Sequence, residues 1–232
     1  MSALECSRPV CFETGDEAFP YTQIGSCFVI RFRDRHWVIT AKHLLTNFQF
    51  LANQVFVPTV LGGYDRFPLT GANTFNDYTD GDSECTDIVA FPIDQTATVD
   101  PQLSYDLDSE TELIVTPRHI LAVHGFPRPL NSVNHEEAVM FHQRLTLSAR
   151  LVGTSSIGAG CFEIELLSTG DIDDHQGFSG APVFVASSEF QQSTPHKLVG
   201  MVLRGSATSR RMHVLHHSAI RHLIDVQLAP TA

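Results

Sequence analysis

The sequence predicts an all-β protein of two antiparallel barrels with a short helix at the C-terminal end. Three observations carry that expectation. Short apolar runs alternate with turn signals along most of the chain, and sustained helical periodicity is scarce. Sixteen Phe, with frequent Val, Thr and Ile, favour strands, because aromatic and β-branched side chains suit a pleated surface. An acidic, polar stretch from Asp94 to Pro117, carrying Asp100, Asp106, Asp108, Glu110 and Glu112, connects two strand-rich halves. Residues 1–232 are expected to form one domain, with barrels at about 15–100 and 118–228.

The strand candidates of the first half are Cys27–Phe32, Trp37–Thr40, Val55–Val57 and Ile88–Phe91. Those of the second are Leu121–Gly125, Leu145–Val152, Cys161–Leu167, Ala181–Val185 and Leu198–Leu203. Gly62-Gly63, Asp80-Gly81 and Phe126-Pro127 punctuate them with turn chemistry. Near the end, Ile220, Leu223, Ile224 and Leu228 recur at helical spacing, with Ser218 placed to cap the first turn. The sequence has no internal repeat and no low-complexity tract.

Composition narrows the function classes. Hydrophobic residues make up 43% of the chain, enough to fill a sizeable core. A net charge of −11 argues against a nucleic-acid partner or an anionic membrane surface. No basic and then apolar leader opens the chain, and no apolar run is long enough to span a bilayer; a cytoplasmic location is expected. Five scattered cysteines (Cys6, Cys11, Cys27, Cys85, Cys161) fit reduced thiols, with a Cys6–Cys11 bridge as the alternative in an oxidising setting.

The chemistry is concentrated in three residues, each in its own local sequence: His43 in Trp37-Val38-Ile39-Thr40-Ala41-Lys42-His43, Asp87 in Thr86-Asp87-Ile88-Val89-Ala90, and Ser179 in Gly177-Phe178-Ser179-Gly180-Ala181-Pro182. Peptide hydrolysis needs an alcohol made nucleophilic, a base near neutral pKa to take its proton, and a carboxylate to orient that base. Those are the three residue types. A hydrolase nucleophile elbow does not fit, because Ala181 stands where its second glycine belongs and the chain order is His, Asp, Ser.

At these residues the chain resembles the trypsin-like (chymotrypsin-fold) serine peptidases. The strand running into His43, the Asp87-Ile88-Val89-Ala90 segment and the Gly-x-Ser-Gly-x-Pro loop carry the likeness, which extends from Ile24 to Val226. Ile24-Gly25-Ser26-Cys27-Phe28-Val29-Ile30 is similar to the opening strand of bacterial members, and Leu198-Val199-Gly200-Met201-Val202 to the strand that leads to the substrate edge. The resemblance implies two six-stranded barrels and a serine endopeptidase acting through an acyl-enzyme, without a cofactor or metal, on a protein or peptide substrate. It implies an oxyanion hole from the N–H groups of Gly177 and Ser179. It also places substrate contacts at Leu203, Arg204 and Gly205 by strand addition, and at His213 near the wall of the specificity pocket.

The chain departs from secreted members in four places. No Ile-Val-Gly-Gly-type segment is present for release by cleavage, and Phe178 precedes the nucleophile where zymogen-activated enzymes carry an aspartate. Leu44 stands where a disulfide partner for Cys27 would follow the histidine, and Leu203 where many members place a serine that bonds the triad aspartate. Asp173 lies six residues before Ser179, at a position similar to the base of the primary pocket. There it would select Arg or Lys; the alternative is a solvated acidic loop of Asp171, Asp173 and Asp174. His213, His216, His217 and His222 fall on different faces of a strand and a helix, so a metal site is not expected. The competing functional reading is a peptidase-fold module that binds peptides without cutting them. A regulatory partner is left open.

Overall fold

The computed structural model describes residues 4–74, 86–109, 114–137, 139–168, 175–188, 196–206 and 208–228. The first sheet takes β1 (Ser7–Glu13), β2 (Tyr21–Phe32), β3 (Arg35–Thr40), β4 (Val55–Phe56) and β5 (Val89–Pro92) in the order β4-β1-β2-β3-β5. A short β6 (Tyr105–Asp106) lies parallel to β2, Ile30 opposite Tyr105. The two-stranded ribbon of β8 (Ser132–Asn134) and β9 (Val139–Phe141) stands apart from a closed barrel. That barrel is made of β7 (His119–Gly125), β10 (Leu145–Thr154), β11 (Cys161–Leu166), β12 (Pro182–Ser188), β13 (Lys197–Ser206) and β14 (Arg211–His216). Around the ring they run β10-β11-β14-β13-β12-β7. The helices are α1 (His43–Thr46) and α2 (His217–Leu228).

The architecture is all-β with two barrel-like units and a C-terminal helix, but only the second unit is a closed six-stranded barrel. The first is a half-barrel, which corrects the expectation of two closed ones. Its end strands are too short to close the ring with a full ladder, and Pro58 and Pro92 remove donors there. Isolated bridges at Pro58–Arg66, Leu69–Ile93 and Asn73–Ala90 continue the sheet edge without forming strands.

Five strands lie outside the candidate segments: the short β6, β8 and β9, and the longer β1 and β14. In β1, Arg8 and Pro9 break the apolar alternation, yet Ser7 to Phe12 are all buried because β1 lies between β2 and β4. In β14, the histidines mask a period-2 strand: Met212 and Val214 face the barrel interior while Leu215 packs outward. The helix begins at His217, one residue before the expected cap. The His216 ring takes the capping role, Nδ1 accepting from the Ser218 N–H at 3.2 Å.

Two cores explain the long apolar run of β13. Leu121, Val123, Leu147, Ile164, Val183, Val202 and Val214 fill the barrel. Phe28, Ile30, Trp37 and Ile39 of the first sheet share a second core with Phe184, Met201, Leu203 and Leu215 from the barrel's outer face and with Ile220, Leu223 and Ile224 of α2. β13 is thus buried on both faces, as a continuous rather than alternating apolar strand should be. Among the described residues no helix is long and apolar enough to cross a membrane.

Candidate active site

β3 and β5 are antiparallel neighbours with Thr40 opposite Val89, so the residues following one strand and preceding the other share one end of the sheet. His43 opens α1 there, and Asp87 precedes β5. The two are joined twice: His43 Nδ1 lies 2.6 Å from Asp87 Oδ2, and the His43 backbone N–H donates to Asp87 Oδ1 at 2.7 Å. An ionised carboxylate only accepts, so in the neutral ring Nδ1 carries the proton and Nε2 keeps the free lone pair. The partner Asp87 needs, with Leu203 in place of a serine, is the His43 amide itself. The side chains are 27% exposed for His43 and 14% for Asp87, which leaves the ring at the cleft surface with the carboxylate behind it.

Ser179 lies in the turn before β12. Phe178 anchors this turn by burying its ring in the barrel core, where Gly125 leaves room for it: a Cβ on Gly125 would collide with the ring. An apolar anchor therefore occupies the position that the resemblance gives to an ion-paired aspartate in zymogen-activated enzymes. The loop's backbone donors divide sharply. Phe178 N–H donates to His175 O at 3.2 Å, Gly180 N–H to Val202 O at 2.8 Å, and Ala181 N–H to Phe178 O at 2.8 Å. The N–H groups of Gly177 and Ser179 make no hydrogen bond to any described residue. Gly177 has φ +96°, and a Cβ there would come within 2.5 Å of Phe126 O and 2.7 Å of Arg128 N, so only glycine fits. The Arg128 N–H holds the Gln176 carbonyl at 2.8 Å. In a trans peptide this turns the Gly177 N–H to the opposite side.

Ser26 of β2 ties this loop to the first sheet. Its N–H donates to Ser179 O at 2.9 Å and its hydroxyl to Gly177 O at 2.6 Å, while accepting from Phe126 N–H at 2.9 Å. Thr40 Oγ1, near His43 in sequence, donates to Ser26 O at 2.7 Å. A Cβ on Gly180, at φ +84°, would strike both Ser26 O and the Thr40 hydroxyl. Ser26 was legible only as part of an apolar strand; no sequence signal marked it as a junction.

Ser179 Oγ donates to Leu203 O at 3.0 Å, and among the described residues no hydrogen bond joins Ser179 to His43. The Leu203 side chain is fully buried, so its contribution to the site is that carbonyl. Beyond Met201 the ladder of β13 with β12 has ended, while its ladder with β14 continues through a register shift between Val202 and Arg204. Arg204 and Gly205 on this segment are exposed. His213 sits opposite Arg204 across the β13–β14 ladder, its Nδ1 2.7 Å from Ser155 Oγ. Asp173 lies outside the described residues.

A cavity of about 570 Å³ adjoins the pair, lined by Lys42, His43, Thr46, Asn47, Thr86, Asp87 and Arg204. Among the described residues no group of three or more His, Cys, Asp or Glu is placed to hold a metal ion. Neither a protein-family model nor a curated protein matches this chain.

Proposed function

We propose that the chain is a serine endopeptidase of the trypsin-like, chymotrypsin-fold type. The observation that carries this reading is the pairing of a doubly bonded His43–Asp87 couple with a serine whose flanking loop holds two backbone N–H groups that bond to no described residue. Buried backbone donors are ordinarily satisfied, so two spare ones beside one hydroxyl suit an oxyanion that arrives with the substrate.

In turnover Ser179 Oγ turns from Leu203 O to His43 Nε2 and attacks the scissile carbonyl carbon, its proton passing to Nε2. Asp87 holds the ring and stabilises the imidazolium. The tetrahedral oxyanion takes hydrogen bonds from Gly177 and Ser179 N–H, each worth about 3 kcal/mol in such sites. His43 then returns the proton to the leaving amine, and water repeats the sequence on the acyl-enzyme. The segment Leu203 to Gly205, beyond the end of the β12 ladder, would pair with an extended substrate as an added strand.

The non-cleaving module is the second reading, and the Ser179–Leu203 bond favours it, since the hydroxyl rests away from the base. Cleavage of a mixed peptide library separates the two. A peptidase cuts it at a rate that falls by about a thousandfold or more in Ser179→Ala, whereas a module releases no fragments.

A further inference from the structure

We propose that Gln23 is a positioning residue for the oxyanion site, fixing from the first sheet the backbone against which the Gly177 turn is built. This role rests on the peptidase reading, since an oxyanion site has meaning only where Ser179 attacks a carbonyl.

Gln23 belongs to β2, three residues before Ser26. On a regular strand those two side chains would point to opposite faces. The β1–β2 ladder departs from that regularity: Val10 pairs with Gly25 and Cys11 with Gln23, so Ile24 is an extra residue in β2. A bulge of one residue returns the two side chains to the same side. Both then reach one residue of the barrel. Ser26 Oγ accepts from the Phe126 N–H at 2.9 Å, while Gln23 Nε2 donates to Phe126 O at 3.1 Å and to Gly25 O at 3.2 Å. The peptide groups on both sides of the Phe126 Cα are thereby held.

Phe126 and the two residues after it back the Gly177 turn. Phe126 O and Pro127 Cα lie 2.5 and 3.1 Å from where a Gly177 Cβ would stand, and the Arg128 N–H holds Gln176 O at 2.8 Å. Gln176 O and the Gly177 N–H share one peptide plane. A turn of the Phe126–Pro127 peptide therefore shifts the Arg128 donor, and with it the direction in which the Gly177 N–H points.

The chemistry of the side chain fits this role better than packing. Both partners of its amide are carbonyl oxygens, so the nitrogen faces them and the oxygen does not. Gln23 is 6% exposed, and its Oε1 is buried and bonds to no described residue. Methionine would fill much the same space without stranding an acceptor. What methionine lacks is the pair of N–H donors.

The test is the kinetics of Ser179 phosphonylation by an alkyl fluorophosphonate, which needs no known peptide substrate. Ser179 Oγ bonds to phosphorus, fluoride leaves, His43 takes the hydroxyl proton, and the phosphoryl oxygen enters the oxyanion site. In Gln23→Met, and in Gln23→Asn, whose amide ends one methylene short, the maximal labelling rate should fall by roughly tenfold. The probe concentration giving half that rate and the pH midpoint of labelling should stay unchanged, because the His43–Asp87 pair is untouched. Near-UV circular dichroism identifies which variants are folded, and one folded variant decides the matter. Labelling of a folded variant at the unsubstituted rate overturns the role. So does a fall that comes with weaker probe binding or a moved pH midpoint, and so does loss of the folded state in both variants; either makes Gln23 a packing residue. An unsubstituted protein that does not label at Ser179 removes the peptidase reading and this role together, whereas a labelled one with unaffected variants sinks the role of Gln23 alone.

Discussion

Ser26 and Ser179 are joined across the cleft: the backbone N–H of one donates to the carbonyl of the other at 2.9 Å. Because the Ser26 hydroxyl also donates to Gly177 O, one residue of the first sheet holds both ends of the segment that would form the oxyanion site. The Ser179 loop belongs to the barrel by sequence but is positioned from the other half.

Ser26→Ala should therefore act on rate more than on affinity. It leaves Gly177 O without its donor and Phe126 N–H without its acceptor, both buried, at about 1–3 kcal/mol each. The expected result is a fall in kcat with KM nearly unchanged, checked by steady-state kinetics against the melting temperature. A loss confined to stability would make Ser26 a packing residue only.

Phe178 should behave as the loop's anchor. Truncation to Ala empties a site in the barrel core and should cost about 3–5 kcal/mol. Phe178→Asp should be worse, since a carboxylate would be buried at a position 1% exposed. Urea denaturation of the two variants checks the order.

Acid should weaken the fold in a defined window. Burial holds the His124 and His217 rings down to about 4 from an ordinary 6.5. Arg144 and His196 add to the effect at His124; at His217, His216 adds to it while a hydrogen bond with the Val199 backbone opposes it. Between those values the unfolded chain binds protons that the folded one excludes. Stability is full above about pH 6.5 and is lost as pH falls toward 4. For His124, only 3% exposed, the loss is on the order of 3 kcal/mol. Denaturation at pH 7, 5.5 and 4.5 should show the decline, and His124→Leu should reduce its slope. Constant stability over that range would contradict the assignment.

The thiols should be silent. Cys6, Cys11 and Cys27 are buried and in no disulfide, and burial pushes the Cys6 thiol up to about 12 and raises the other two. A chromogenic disulfide reagent at pH 8 should reach them only after unfolding. Their prompt reaction in the folded protein would mean that β1 opens.

Much of this fold was legible because its strands are apolar runs of ordinary length: β2, β3, β7, β10 and β13 all contain the segments expected. β1 and β14 escaped because Pro9, Arg8 and the histidines break the pattern, and tertiary burial, not local propensity, makes them strands. The closure of a barrel is a property of end-strand length and pairing, which local patterns do not encode. At the site, His43, Asp87 and Ser179 stood out by residue type and local motif. Ser26 and Thr40 did not, since their roles exist only once β2, β3 and the loop before β12 converge.

The central claim is that His43 activates Ser179. Treatment with a fluorophosphonate followed by peptide mass analysis tests it most directly. The account predicts one adduct, on Ser179, absent in Ser179→Ala and slowed by about a thousandfold in His43→Ala. An unlabelled Ser179 in the unsubstituted protein, or labelling that does not depend on His43, would contradict it.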